Sequence, residues 1–225
     1  MKPSLRILNL VRKWGKRGVV YKNIRKQSSS LQLKGMPTHK DARKKLSNPK
    51  LNINRKNIIA WSRKYDDRFK GTDAERMETR LKNVLQNQSY LDKPDFIELC
   101  MWKSPRPKKH YENNHPDLVK KITEISFGTK NEDERIKVLM ELKGVSWPVA
   151  SAILHFAFPD KYPILDFRVI WSLGWKDQTS YDIGYWKKYR RTILDIAKQV
   201  NLPIRIVDKA LWEYSKQNQP ARKKL

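Results

Sequence analysis

From about residue 52 onward, apolar positions recur at helical spacing almost without a break. Leu118, Ile122 and Ile125 follow the three-and-four interval that puts side chains on one helix face, as do Val207, Ala210, Leu211 and Tyr214. Tyr185, Trp186, Tyr189, Ile193, Ile196 and Val200 predict a long helix over about 181–200. The start signals agree with this period. Thr72-x-x-Glu75 has the form of a capping box and predicts a helix over 73–88. Pro94, Pro116 and Pro203 each stand where a first helical turn should begin, a position that needs no backbone donor. Alternating segments closed by Asn-Gly or Asp-Gly turns do not occur, and no internal repeat is found. The expected fold class is all-α.

The most informative stretch runs from Leu139 to Gly174. Leu142-Lys143-Gly144-Val145-Ser146 parts two helical patterns within 139–158 by a very short turn, and Ser146 is placed to cap the second helix, expected over 147–158. So tight a turn leaves N–H groups around Gly144 and Val145, with the free amides of the next helix, facing outward. Such donors hold a phosphate without reading a base. Pro159 and Pro163 then break the chain, and Asp166 follows apolar Ile164-Leu165 at the start of another helix. On these residues alone Asp166 reads either as an N-cap, the common role of an Asp there, or as a functional carboxylate.

Leu142-Lys143-Gly144-Val145-Ser146-Trp147-Pro148-Val149-Ala150 is similar to the Leu-Pro-Gly-Val-Gly-x-x-x-Ala hairpin of the helix-hairpin-helix DNA glycosylases. Pro163-Ile164-Leu165-Asp166-x-x-Val169 resembles the segment that carries their catalytic aspartate. The resemblance implies a two-lobed helical bundle over 51–225 with a cleft between the lobes, the hairpin at 139–158 and the catalytic segment at 163–174. It implies double-stranded DNA with a flipped nucleotide as partner, no metal or organic cofactor, and a monomer. Asp166 would stabilise the oxocarbenium-like sugar and direct water to C1′. Lys143, Gly144, Val145, Ser146 and Arg168 would hold phosphates. His155, Trp102, Arg106 and Trp171 are candidates to line the base pocket.

Two departures matter. Ser146 replaces the second hairpin glycine, which an N-cap role would accommodate. Pro148 stands where bifunctional members carry a Schiff-base lysine, so water attack without lyase chemistry is expected. Lys143 can be imagined as a displaced amine, but a phosphate contact is the simpler role. His155, inside Ile-Leu-His-Phe-Ala-Phe, also reads as a core histidine, and Trp102-Lys103-Ser104-Pro105-Arg106 as a core Trp followed by a solvated basic loop. Of Trp171, Trp175, Tyr181, Tyr185 and Trp186, most must be core.

Charge sharpens the choice of partner. With 49 Lys and Arg against 23 Asp and Glu, the net charge is +26, which points to a polyanion, nucleic acid before a membrane surface. No apolar run approaches the roughly 20 residues that span a bilayer. The single Cys100 excludes an intrachain disulfide and a multi-cysteine zinc or iron–sulfur site and fits a reducing, cytoplasmic setting, where binding to DNA would make the chain nucleoid-associated. Residues 1–50 hold 15 of the basic residues and one acid, Asp41, and so carry +14. Leu5, Leu8 and Val11 suggest one short helix there, before basic coil punctuated by Ser28-Ser29-Ser30, Gly35-Met36-Pro37 and Asn48-Pro49. This arm reads as a solvated tail, a DNA-gripping segment or a presequence. The tail Arg222-Lys223-Lys224 reads as a solvated charge run.

The expected function is thus a monofunctional DNA glycosylase, in base-excision repair or in defence against phage DNA with hypermodified bases. A non-enzymatic DNA- or RNA-binding module is the rival. If the arm grips DNA, removing residues 1–50 flattens the log K versus log salt slope by about 0.9 for each phosphate that the arm neutralises. Salt-dependent binding and thermal unfolding measured on the same truncated protein check this. An unchanged slope with a large fall in melting temperature would show instead that the arm completes the fold.

Overall fold

The computed structural model describes residues 50–85, 88–176 and 178–220, all of them in one compact unit. The basic arm, apart from Lys50, and the tail 222–224 lie outside the described residues. Among the described residues there are ten helices and no strand, so the fold is all-α. In chain order they are α1 (Arg55–Phe69), α2 (Asp73–Leu85), α3 (Lys93–Lys103), α4 (Lys108–Glu112) and α5 (Pro116–Gly128). Then follow α6 (Glu132–Leu139), α7 (Trp147–Ala157), α8 (Phe167–Ser172), α9 (Ile183–Val200) and α10 (Ile204–Asn218). None is long and apolar enough to cross a membrane.

Most helix starts are built by a short polar side chain that accepts from an amide left free in the first turn. Asn54, Asp92, His115, Asn131, Asp166 and Asp182 do this for α1, α3, α5, α6, α8 and α9. Pro94 and Pro116 lie in first turns as expected. Pro203 is the N-cap of α10, one residue earlier than a first-turn proline. The long helix starts at Ile183 rather than 181, because Asp182 captures the Tyr185 amide at 2.7 Å. At Thr72 the capping box is skewed: its hydroxyl accepts from Glu75, but the Glu75 carboxylate reaches the amide of Gly71, one residue early. The buried stripe of α5 runs Val119, Ile122, Thr123 and Ser126, which leaves Leu118 and Ile125 on its flanks. Thr123 and Ser126 can enter the core because their hydroxyls bond across to Leu91 and Arg135.

Packing falls into two sets. In the first, α10 packs on α1, α8 and α9; in the second, α2 to α7 pack on one another. A continuous apolar cluster runs through both, with Phe96, Leu99, Leu139, Ile153, Leu165, Tyr189 and Leu211 fully enclosed. Charge also joins them. The Arg205 guanidinium (α10) donates to both carboxylate oxygens of Glu78 (α2), at 3.0 and 2.7 Å, and to the Tyr65 hydroxyl at 3.1 Å. Burial disfavours both charges, but the pairing outweighs it. Glu78 is held well below the ordinary carboxylate range, with Lys82 helping, and Arg205 is raised above the usual guanidinium value.

Arg205→Met should therefore cost about 3 kcal/mol, since it leaves the buried Glu78 carboxylate only Lys82 and the more distant Lys209 as partners, and adding Glu78→Leu should recover most of that. Denaturant unfolding of the two single variants and the double variant checks the coupling. The wild-type contribution is present above the ordinary carboxyl value of 4.5 and is lost as pH falls below it. There the unfolded carboxyl takes up a proton that the folded one refuses.

Candidate functional site

Between α6 and α7 the chain turns through Gly144, whose φ of +85° suits a residue without a side chain. A Cβ there would also lie 2.8 Å from the Tyr111 ring. Buried Asn114 fastens this turn. Its Oδ1 accepts from the Lys143 amide at 2.8 Å and its Nδ2 donates to the Lys143 carbonyl at 3.0 Å, with further bonds to His110 and Tyr111 carbonyls. Lys143 itself is exposed.

Two expectations for this turn need correction. The Val145 side chain is buried and its amide donates inward to Leu142 at 3.1 Å, so it does not face outward. Ser146 holds the N-cap position of α7 but its hydroxyl makes no capping bond. A first-turn proline does not by itself prevent such a bond, since Asp92 caps α3 through Asp95 with Pro94 at the same place. The amides of Gly144, Ser146, Trp147 and Val149 meet no acceptor among the described residues. Val149 is buried, so only the amides of Gly144, Ser146 and Trp147 belong to residues with exposed surface.

Asp166 follows a strap, residues 162–165, that is pinned from several sides. His155 Nδ1 donates to the Tyr162 carbonyl at 2.8 Å. The Ile164 amide donates to Asp208 Oδ2 at 3.0 Å, and the Ile164 carbonyl accepts from the Tyr189 hydroxyl at 2.7 Å. The Leu165 amide donates to Ser151 Oγ at 2.8 Å, and Ser151 bonds back to the Pro148 carbonyl. The strap is thus held against α7, one turn beyond Pro148. The Asp166 carboxylate then divides its oxygens. Oδ1 caps α8 by accepting from the Arg168 amide at 2.9 Å, and Oδ2 accepts from Lys103 Nζ at 2.6 Å. Both side chains are mostly enclosed, with 9 % of Lys103 and 16 % of Asp166 exposed.

A cavity of about 110 Å³ lies between the two packing sets, and neither Lys103 nor Asp166 is among its lining residues. Tyr65, Asp66 and Phe69 of α1 and Lys209 of α10 line one side; Glu78 and neighbouring α2 residues, with Trp102 of α3, line the other. Asp166 is close enough to Tyr65 to help raise its pKa, although burial is the main cause. Trp102 is the expected pocket residue that lines this space. Its indole donates to the Ala74 carbonyl at 3.1 Å, and its ring meets Phe156 edge-on. Arg106 is exposed in the α3–α4 turn. Arg168 lays its guanidinium over Phe167 and over Trp212, which meets Tyr65.

His155 and Trp171 do not line this space. His155 is 1 % exposed, and burial, with the Arg205 charge, holds it down to about 3, so its ring is neutral. Trp171 packs on Tyr214 under the Lys50 ammonium. Of the other aromatics, Trp175 and Tyr181 gather round Tyr185, and Trp186 is buried against Tyr189.

The residues that sequence reasoning missed are Lys103, Asn114, Ser151 and Asp208. Lys103 stands out in the sequence only as part of a basic run; the other three carry no local signal. Among the described residues no cluster of His, Cys, Asp and Glu could hold a metal ion. Comparison with family models, curated proteins and solved structures yields no match.

The two buried titratable groups that bond to the strap, His155 of α7 and Asp208 of α10, oppose one another. Burial lifts Asp208 to about 7 from its ordinary 3.8, and its Oδ1 has no partner among the described residues; His155 drops to about 3 from 6.5. As pH rises from 4.5 to 6.5 the folded state loses the advantage of a protonated Asp208, while the cost of keeping His155 neutral disappears. Each slope is about 1.4 kcal/mol per pH unit and they cancel. Stability of His155→Gln should therefore fall as pH rises across this window, and that of Asp208→Asn should rise. Urea titrations at several pH values check the signs, and slopes of the same sign in both variants would refute the pairing.

Proposed function

We propose that the chain is a DNA glycosylase of the helix-hairpin-helix type, with α6 and α7 as the hairpin and Asp166 as the catalytic carboxylate. One observation carries the reading: the Asp166 strap is bonded to α7 through Ser151, so the carboxylate and the donor-rich turn belong to one rigid assembly. The two packing sets are the lobes, and the cavity at Tyr65 and Trp102 is the cleft between them. Free amides at Gly144, Ser146 and Trp147, with exposed Lys143, grip a phosphate on double-stranded DNA. An extruded base stacks on the aromatic walls, its stacking edge supplied by Tyr65, Phe69 and Trp102.

Asp166 then faces a sugar that becomes cationic as the base departs. An anionic oxygen close to C1′ lowers that barrier and orients the incoming water. With Pro148 at the hairpin, no amine of α7's first turn attacks, and hydrolysis leaves an abasic site. The excised base is a damaged one or a hypermodified one, and the chain works as a monomer in the compartment that holds the DNA.

A second reading has a specific observation behind it. Asp166 already caps α8 and pairs with Lys103, which is what a purely structural aspartate would do in a non-enzymatic binding module. A panel of duplexes, each with one modified base and assayed for alkali-labile sites, separates the two. The glycosylase cuts at least one member, and Asp166→Asn, which keeps the cap, loses on the order of 10²–10³ in rate while DNA affinity holds. A panel with no cleavage, or an Asn variant with normal turnover, favours the module.

A further inference from the structure

An aromatic, cationic face stands apart from both the cavity and the hairpin. α8 turns Val169, Ile170 and Ser172 inward, where they are buried. Phe167 and Trp171, one turn apart, lie with Arg168 on its partly exposed side. Neither aromatic belongs to the apolar core cluster or to the side chains packed against it. Trp171 instead meets Tyr214 at 6.0 Å between ring centres, and Tyr214 meets Trp61 of α1 edge-on at 5.2 Å. An ammonium lies over each end of this row, Lys50 at 3.9 Å from the centre of Trp171 and Lys64 at 4.0 Å from that of Trp61. α8 itself carries no acid. The backbone of Lys50 is fixed here, its amide donating to the Ser172 carbonyl at 2.9 Å and its carbonyl accepting from the Tyr214 hydroxyl at 2.8 Å. Residues 1–50, with 15 Lys and Arg against one acid, therefore join the body beside Trp171.

We propose that the outer side of α8, with Tyr214, Trp61 and the root of the basic arm, binds unpaired nucleotides of a single nucleic-acid strand. Every base has a π-face, so a row of rings takes bases of any sequence while neighbouring cations take the phosphates. A duplex keeps its base faces stacked inside and gains only the charge. An ammonium over an exposed ring is held more weakly than a stacked base. An incoming base thus displaces Lys50 or Lys64 from its ring and frees that cation for the adjoining phosphate. A second copy of the chain is a poor occupant, because each copy carries +26. An anionic membrane fits less well too, since the row crosses α1, α8 and α10 and offers no long apolar helix face to insert. The proposal rests on neither base excision nor the cavity, and it adds the unpaired strand to the duplex considered above.

The test follows the fluorescence anisotropy of a labelled oligothymidine of about 12 nucleotides, titrated with the full chain at several salt concentrations. Trp171→Ala should weaken binding by about tenfold, the loss expected for one stacked base, and leave the log K versus log salt slope unchanged. Lys50→Ala should instead flatten that slope by about 0.7. Trp171→Phe, which keeps a ring, should recover most of the affinity, and binding of an unmodified duplex should barely respond to Trp171→Ala. Failure of the wild-type chain to bind the strand, no loss in Trp171→Ala, or an equal loss on strand and duplex overturns the proposal. So does a Trp171→Ala variant that releases phosphatidylserine vesicles but holds oligothymidine normally. If thermal unfolding shows that Trp171→Ala does not fold, photocross-linking of the wild-type chain to a strand containing 5-iododeoxyuridine decides. Adducts on Phe167, Trp171, Tyr214 or Trp61 support the surface, and adducts confined to other residues refute it. These oligonucleotides hold no modified base, so failure here leaves the excision reading standing. Conversely, a modified-base panel with no cleavage leaves this surface untouched.

Discussion

Arg205 brings a guanidinium into the seam between the two sets of helices, where its donors are met only while Glu78 and Tyr65 stay in place. Removing a charge from water costs several kcal/mol unless partners compensate, so this group sets how α2 and α10 stand relative to each other. The cavity wall follows from that. Tyr65, Glu78 and Trp102 all face it, and the Arg205 guanidinium also lies over the rings of Tyr65 and Trp102. A second ionic crossing, Lys103 to Asp166, forms on the same seam. The candidate site is thus the part of the interface where charge, rather than apolar packing alone, fixes the register.

What the chain's pattern reveals is the local half of this architecture. The all-helical fold and the first-turn prolines at 94 and 116 depend on neighbours within four residues, and periodicity reports such neighbours directly. The Lys143–Ser146 turn is legible for the same reason, through Gly144. The capping bond of Ser146 fails as an expectation although the residue does hold the N-cap position, and spacing alone does not distinguish it from Asp92, which caps α3 with a proline at the same place.

The site's other half is non-local, and no spacing encodes it. Lys103 and Asp166 are 63 positions apart, Asp208 and Ile164 are 44 apart, and Asn114 and Lys143 are 29 apart. Each is a polar residue whose partner is supplied by a distant segment of the chain, so its type alone predicts only solvent exposure. His155 illustrates the converse. Its place in an apolar helix allows a reach toward the pocket or a buried role, and the carbonyl of Tyr162 decides for burial. Of the two sequence readings of Asp166, the cap is the one the structure shows: one oxygen caps α8 and the other accepts from Lys103.

Asn114 gives the α6–α7 turn a dependence on one side-chain amide. That group works as a surrogate peptide, offering Lys143 an acceptor and a donor together and sharing its N–H groups among three carbonyls. Hydrolysis of the amide to a carboxylate would alter no volume, yet it would turn the donor face into a second acceptor and set negative charge against the carbonyls of His110, Tyr111 and Lys143. The turn would lose its fastening while every helix around it stayed intact. Ageing of a single asparagine would thus release the loop that presents Lys143 long before it unfolded the protein.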